Sequence, residues 1–321
     1  SPFILSFMLS NLALGIIIAA SSYHWFLAWI GLELNTMSII PILAKHHHPR
    51  ATEAATKYFI IQATASSLIL FSSIMNAWTT GTWNIIQLST SPSVIMLTIA
   101  LTMKLGLVPM HFWLPEVMQG STLSSALIIT TWQKLPPMAL LLMTTNHLPP
   151  SILLTLATTS ILIGGWSGLN QVQTRKIMAF SSIAHLGWMM AILSLSQKLT
   201  ILTLVIYIFT TTSLFLIMIS TSTKTFKDMS QLWTTSPTLT TICMLTLMSL
   251  GGLPPLTGFL PKWFILKEMI NNHLTPVATI MIISSLLGLM FYMRLTYNTT
   301  LTISPNTTNS MMKWRFKPTN T

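Results

Sequence analysis

The sequence predicts an all-α, polytopic membrane protein, and three observations carry that prediction. Charged residues make up only 7% of the chain and hydrophobic ones 51%, whereas a soluble domain carries about 25% charged residues. Ten apolar stretches are each close to the length of about 20 residues that a spanning helix needs. When those stretches alternate across a membrane, the basic residues gather on one side. No room remains for a sizeable soluble domain.

The ten predicted spans are joined by short links rich in Pro, Thr, Ser, Asn and His, which are typical of turns. They are residues 3–20, 23–43, 52–76, 93–110, 121–143, 151–169, 177–195, 199–220, 237–266 and 276–297. We therefore expect a single transmembrane helical domain over residues 1–297, followed by a basic, polar tail at 298–321.

The distribution of cations tests this helix count. With the N-terminus on a side called A, eleven of the sixteen Lys and Arg residues fall on side A, and two, Lys198 and Lys267, fall on side B. The positive-inside rule then places side A inside. The cations are spread over many short loops, so the net charge of +11 does not indicate a nucleic-acid partner.

Two of the predicted helices are interrupted, and their interruptions resemble each other. The motif Leu-Gly-Leu-Val-Pro at 105–109 recurs as Leu-Gly-Gly-Leu-Pro at 250–254, and each copy has a lysine beside it. Paired apolar segments broken by Gly and Pro in two halves of a chain indicate a transport site at the interface of two repeats.

Glu33 and Lys104 are the first candidate site residues. Glu33 lies at the centre of the span 23–43, and Lys104 lies next to the first interruption. Ionisable residues at such depth are costly and are usually functional. A carboxylate close to a buried lysine stabilises its ammonium form, so a change at Glu33 would switch Lys104 between holding and releasing a proton.

Lys134 and Lys262 continue the series of intramembrane cations. Lys134 precedes Pro136 and Pro137, which remove two backbone donors and leave carbonyl groups without their helical partners. Lys262 lies beside the second interruption. The alternative interpretation of all four charges is that they extend from helix ends to the membrane interface.

The histidines and the cysteine carry weaker signals. His111 and His185 are candidates for a secondary proton relay, or for structural, hydrogen-bonded histidines. The histidines at 46–48 could suggest a metal, but no second cluster completes a coordination sphere, so no metal site is predicted. Cys243 lies in an apolar run and is expected to be a small buried hydrophobe.

Several motifs together resemble a known family. The chain is similar to the antiporter-like subunits in the membrane arm of mitochondrial NADH:ubiquinone oxidoreductase, respiratory complex I, in vertebrates. The motifs are Gly-Leu-Glu-Leu-Asn at 31–35, Thr-Glu-Ala-Ala-Thr-Lys-Tyr-Phe at 52–59, Met-Lys-Leu-Gly at 103–106, Pro-Met-His-Phe-Trp at 109–113, Gly-Leu-Asn-Gln at 168–171, Ser-Ser-Ile-Ala-His-Leu-Gly-Trp at 181–188 and the fourteen residues at 250–263.

The resemblance implies an antiporter-like repeat fold and a role in proton translocation. It assigns the intramembrane glutamate to Glu33, the broken-helix lysine to Lys104, the central relay lysine to Lys134 and the exit-side lysine to Lys262. It also implies eleven helices, so the chain, which begins without Met, is expected to be truncated at both ends.

The resemblance further implies the setting of the protein. The chain would bind no cofactor, while the complex uses NADH, FMN, iron–sulfur clusters and ubiquinone elsewhere. Its partners would be other membrane-arm subunits, including neighbouring antiporter-like ones, and membrane lipids, without nucleic acid. It would lie in the mitochondrial inner membrane with its N-terminus in the matrix.

Two other functions stay open at this point. A free-standing cation/proton antiporter would use the same intramembrane charges. A passive membrane scaffold would use those charges only to bind neighbouring subunits.

Overall fold

The computed structural model describes residues 2–45 and 48–301, apart from the side chains of Thr234 and Thr235. Within these ranges the regular structure is helical, with two short 3-10 turns at Trp132–Lys134 and Thr145–His147. The α-helices are α1 Pro2–Ser21, α2 Trp25–Leu43, α3 Pro49–Thr80, α4 Ser91–Leu105, α5 Trp113–Gly120, α6 Leu123–Thr130, α7 Leu135–Thr144, α8 Pro150–Gly168, α9 Thr174–Leu193, α10 Gln197–Thr221, α11 Phe226–Ser230, α12 Leu232–Thr235, α13 Pro237–Gly251, α14 Phe259–Asn271 and α15 Thr275–Leu301.

The predicted multi-pass architecture is confirmed. Eight helical segments of the described chain are long and apolar enough to cross a membrane, and α4 and α13 are shorter apolar helices. Each of these two is followed by a break and a further helix, as the interrupted spans predict. Among the crossing helices α9 is the most enclosed, with 78% of its apolar window buried against 17% for α1. Side chains on α9 therefore lie at the centre of the bundle.

The ends of α3 and α15 differ from the prediction. The α3 helix begins at Pro49 because the His48 imidazole accepts the Arg50 N–H at 3.2 Å and caps the helix. The neighbouring His46 and His47 lie outside the described residues. At the other end of the chain α15 continues to Leu301, and the predicted tail from residue 302 onward also lies outside them.

Connections that the sequence assigns to side A meet at one end of the bundle. Thr174, at the start of α9, donates its N–H to the Lys224 carbonyl at 3.2 Å. The Arg175 guanidinium donates to the carbonyl of Ser121, the residue after α5. The end of α5 and the connection leading to α13 thus share one end. The pair α4–α5 runs towards that end and the pair α13–α14 runs away from it.

The two breaks have the same backbone geometry. Gly106 ends α4 with φ 79°, and Gly252 ends α13 with φ 85°, both in the left-handed region that favours glycine. In both copies the next helix begins seven residues later, at Trp113 and at Phe259. The sequence motif aligns Gly106 with Gly251, so the structure corrects that alignment by one residue.

The correction moves the two lysines to opposite sides of their breaks. Lys104 lies in the last turn of α4, before the first break. Lys262 lies in the first turn of α14, after the second break. The residue of α5 at the position of Lys262 is Glu116. The repeated backbone therefore carries different charges in its two copies.

A third interruption occurs where the sequence predicts one continuous helix over 121–143. A 3-10 turn at Trp132–Lys134 separates α6 from α7. Pro136 and Pro137, in the first turn of α7, have no N–H to donate to the carbonyls four residues earlier. The proline pair therefore starts a new helix instead of continuing the old one.

Candidate functional site

Lys134 lies in the third interruption and is 4% exposed. Its Nζ donates to the hydroxyl oxygen of Tyr207 on α10 at 2.9 Å, and that hydroxyl donates to the Thr130 carbonyl at 3.1 Å. The Thr130 carbonyl has room for this partner because the Lys134 N–H bonds instead to Thr131 at 3.4 Å, in the 3-10 pattern. The loosened turn thus produces a buried chain of lysine, hydroxyl and carbonyl.

His185 on α9 lies on the other side of Tyr207. The centroids of the two rings are 5.6 Å apart, and His185 Nδ1 lies 2.7 Å from the Ser181 carbonyl oxygen. Two small cavities of about 20 and 30 Å³ are lined by both His185 and Lys262. Each has room for about one water molecule. Lys134, Tyr207, His185 and Lys262 therefore lie in a series that is joined by a hydrogen bond, a ring contact and two small cavities.

Lys262 is held by the second break. Its Nζ donates to the Gly251 carbonyl at 2.9 Å. In a continuous helix that carbonyl would bond to residue 255, which is a proline without an N–H. A Cβ on Gly252 would lie 2.8 Å from the Lys262 Nζ. Glycine at this position therefore permits the left-handed backbone conformation and also leaves room for the Lys262 side chain.

The predicted direct pair of Glu33 with Lys104 is not formed. The Glu33 carboxylate accepts the Thr36 hydroxyl at 3.1 Å. The Lys104 ammonium is buried and has no hydrogen-bond partner among the described residues. The two groups are still near enough to interact electrostatically. The reason for the separation is that α3 packs against both α2 and α4 and lies between them.

Glu33 lies beside a groove on the outside of the bundle. The groove has a volume of about 880 Å³ and runs between α2 and α3, with Trp29, Phe59 and Phe71 among its apolar lining residues. The mid-span position of Glu33 was predicted, but the sequence did not indicate that its carboxylate faces outward.

His111 is buried within the first break and is not joined to the lysines. Its Nδ1 lies 3.2 Å from the Pro109 carbonyl oxygen, and its ring contacts Phe112 at a centroid distance of 4.2 Å. Its role in a relay stays a prediction.

Ion pairs of the described chain lie at the surface on the predicted side A. The Lys57 Nζ is 2.5 Å from a Glu53 carboxylate oxygen and 2.8 Å from one of Glu116. These three side chains line a cavity of about 360 Å³, and Arg50 and Lys176 line it as well. Within residues 2–45 and 48–301 no three His, Cys, Asp or Glu side chains gather as a metal would require, and Cys243 is buried and free.

Sequence reasoning missed Tyr207 and Gln133. Tyr207 is a tyrosine in the middle of the apolar helix α10, and a buried phenol normally needs a hydrogen-bond partner. Gln133 is adjacent to Lys134, and its side chain bonds to residues of α2 and α3. A neutral polar group within an apolar span was the available signal for both.

Two antiparallel broken helices with a lysine at each break, and a series of polar groups from Lys134 to the second of these lysines, define a membrane protein of the ion-translocating, antiporter-like class. Residues 22–288 match the family described as NADH:quinone oxidoreductase/Mrp antiporter, transmembrane. Residues 289–321 match the family described as NADH dehydrogenase subunit 2 C-terminus.

Individual relatives agree with these families. The NADH-ubiquinone oxidoreductase chain 2 of Xenopus laevis is 54% identical over 98% of this chain and 91% of its own length. The protein of the same name from Latimeria chalumnae is 51% identical over 99% of this chain and 91% of its own length. The chain therefore belongs to the NADH-ubiquinone oxidoreductase chain 2 family.

Solved structures agree as well. A chain of respiratory complex I from Thermus thermophilus superposes with a TM-score of 0.86 and 27% identity, over 92% of this chain and 70% of that one. A chain of the Mrp complex from Dietzia shares the fold, with a TM-score of 0.83 and 17% identity, over 94% of this chain and 61% of that one.

Proposed function

We propose that the chain is a proton-translocating core subunit of the membrane arm of respiratory complex I. NADH oxidation by ubiquinone in other subunits would supply the energy, and this chain would move protons along its buried residues without a redox centre of its own. The series of polar groups from Lys134 through Tyr207 and His185 to Lys262 supports this function most strongly. It is a route for protons inside an apolar bundle.

The proposed transfer runs from Lys104 to Lys134 and from there to Lys262. The Tyr207 hydroxyl, which donates to the Thr130 carbonyl in this structure, would rotate to release its proton towards His185 as it accepts one from Lys134, so no net charge stays on the tyrosine. Water in the two cavities would then connect His185 with Lys262. Lys262, in a helix that runs towards side B, would release the proton there.

Glu33 would control whether Lys104 holds or releases its proton. Because its carboxylate is partly exposed to the outer groove, a change of charge in a neighbouring subunit would act on Glu33 first. A shift of Glu33 would then change the electrostatic field at Lys104. His111 stays a candidate for a secondary position on the side of the first break.

The setting follows from the same proposal. The relatives are named as chains of NADH-ubiquinone oxidoreductase, so the partners would be other subunits of that complex, with lipids around them. The excess of basic residues on side A favours an N-terminus in the mitochondrial matrix and a location in the inner membrane.

Lys134→Ala in the assembled complex tests the function. It should lower proton pumping together with coupled NADH turnover, because the central proton carrier is removed. Lys198→Ala, at the exposed start of α10, is the matched control and should leave both unchanged. An unchanged proton-to-electron ratio at full turnover in Lys134→Ala would refute the relay.

A free-standing antiporter is the second candidate, because the family matched by residues 22–288 is described as including Mrp antiporters. Gentle solubilisation distinguishes the two. Co-migration of this chain with NADH dehydrogenase activity in a very large complex supports the subunit, whereas migration alone and cation flux through the isolated chain support the antiporter.

A further inference from the structure

We infer that Gln133 is a positioning residue that ties the Lys134 turn to helix α2, so that a displacement at Glu33 moves Lys134. This inference rests on the proposed function. It assigns a role to an amide pair between Gln133 and Asn35, which we call the amide lock.

The amide lock is reciprocal. The Asn35 Nδ2 donates to the Gln133 Oε1 at 2.9 Å, and the Gln133 Nε2 donates to the Asn35 Oδ1 at 3.1 Å. The Tyr58 hydroxyl on α3 donates to the same Oε1 at 3.2 Å. Asn35 and Tyr58 are buried, at 2% and 1% exposure. Because Asn35 is buried and Gln133 partly buried, breaking these amide hydrogen bonds costs free energy, and the two partners therefore move together.

The amide lock links the helix that carries Glu33 to the turn that carries Lys134. Asn35 follows Glu33 by two residues in the same turn of α2, and Gln133 directly precedes Lys134. The turn Trp132–Lys134 lies between two helices and is followed by prolines, so helical hydrogen bonds constrain it less than they would a continuous helix. Side-chain ties such as the lock therefore determine where Lys134 sits relative to Tyr207.

The same network extends to the first break through α3. Gln62, one turn after Tyr58, donates to the Lys104 carbonyl at 3.4 Å. The Tyr58 ring lies edge-on to Trp113, the first residue of α5, at 5.7 Å between centroids. The polar side chains of α3 thus connect the first break to the Lys134 turn.

The lock positions and does not carry protons. Neither side-chain amide titrates in the physiological range, and both ends of the Asn35 amide are occupied by Gln133. A proton would have to pass from Lys104 to Lys134 by another route. The lock transmits a displacement and not a proton, because the position of Lys134 determines its contact with the Tyr207 hydroxyl.

An exchange of side-chain lengths tests the inference in the assembled complex. Gln133→Asn shortens the lock and Asn35→Gln lengthens it, while the double variant restores the combined length. We expect each single variant to lower the number of protons pumped per NADH and the double variant to recover it, because substitutions at contacting residues are coupled. The ratio is measured per turnover, so a mere loss of assembled complex does not change it.

The outcomes separate this inference from the proposed function. A wild-type ratio in both single variants, with a lowered ratio in Lys134→Ala, overturns the lock and leaves the relay standing. A wild-type ratio at full turnover in all three overturns both. Single variants that lower the ratio without recovery in the double variant also overturn the lock. If a single variant does not assemble, Gln133→Met, which keeps the length of the side chain and removes both hydrogen bonds of the lock, replaces it, and a wild-type ratio there overturns the lock.

Discussion

The three lysines of the candidate site differ in what holds their ammonium groups. Lys134 donates to a hydroxyl and Lys262 to a backbone carbonyl, and Lys104 has no hydrogen-bond partner among the described residues. A hydroxyl both accepts and donates a proton, whereas a carbonyl only accepts a hydrogen bond. The three lysines are therefore suited to different steps, with Lys134 the one in direct contact with a relay group.

Tyr207→Phe tests that contact at the scale of one atom. The ring stays and the hydroxyl leaves, so proton transfer out of Lys134 loses its acceptor. We expect coupled turnover to fall by about a hundredfold, the low end for the loss of a positioned proton-transfer group. Tyr297→Phe, an outward-facing tyrosine of α15 with 63% exposure, is the control. Equal turnover in the two variants would contradict the role of Tyr207.

The sequence indicated the charged residues better than their neighbours. A lysine or glutamate in an apolar span is conspicuous because of its cost, so Glu33, Lys104, Lys134 and Lys262 could be selected without a structure. Tyr207 gave only the weaker signal of a neutral polar group, and its contact with Lys134 could not be predicted, because the two lie 73 residues apart in the chain and only packing brings them together. The direct Glu33–Lys104 contact was wrong for the same kind of reason, since an intervening helix is not visible in the spacing.

At the scale of elements, the glycine caps are the feature that sequence and structure share. Gly252→Ala should displace Lys262, because the new Cβ would lie 2.8 Å from its Nζ. Gly81→Ala is the matched control, since Gly81 has φ 71° and no atom lies within 4 Å of the place that a methyl group would take there. Both substitutions should cost about 1 kcal/mol in backbone strain.

Only Gly252→Ala should lower the proton-to-electron ratio. Pumping measurements on reconstituted complex decide this, with thermal stability as the measure of strain. An identical proton-to-electron ratio in the two glycine variants would mean that the position of Lys262 beside Gly252 does not affect proton pumping.

The short helix α11 offers a test by pH. Partial burial would raise the pKa of Asp228, but hydrogen bonds from the N–H groups of Lys224 and Thr225, both at 2.9 Å, outweigh it and hold this pKa below its usual value. The ionised form therefore stabilises the helix above the unfolded pKa, and this contribution is lost as pH falls through the folded one.

We expect Asp228→Ala to weaken protection of residues 226–230 against amide exchange at pH 7, by about 1 kcal/mol, the usual loss for a helix cap. The difference from the native chain should shrink below about pH 4, where the carboxylate becomes protonated. Asp228→Asn, which keeps an acceptor without charge, should fall between the two. Exchange that is independent of residue 228 at pH 7 would contradict the cap.

At the scale of the whole molecule, orientation in the membrane is the property to measure. The chain has one cysteine, Cys243, which is 2% exposed and gives little background labelling. Lys227→Cys should react with an impermeant thiol reagent from the matrix side, and Lys198→Cys from the opposite side, because both residues are exposed at opposite ends of α10 and its connection. The reverse pattern would overturn the proposed orientation.

Most of the fold could be predicted because the membrane restricts the choices. Spans of fixed length and one-sided basic loops predicted ten crossings, and Gly–Pro motifs predicted two breaks. The break at Trp132–Lys134 was not predicted as such. Its prolines were recognised, but proline in a membrane helix can also produce only a kink, and neighbouring helices decide which occurs.

The unequal charges at the two equivalent breaks bear on direction. A conductor built from two identical halves in opposite orientation would carry current equally well both ways. Here the position that holds Lys262 in one half holds Glu116, paired with Lys57, in the other. The duplicated backbone therefore gives the molecule its symmetry, and the exchanged charge removes that symmetry, as a rectifier requires.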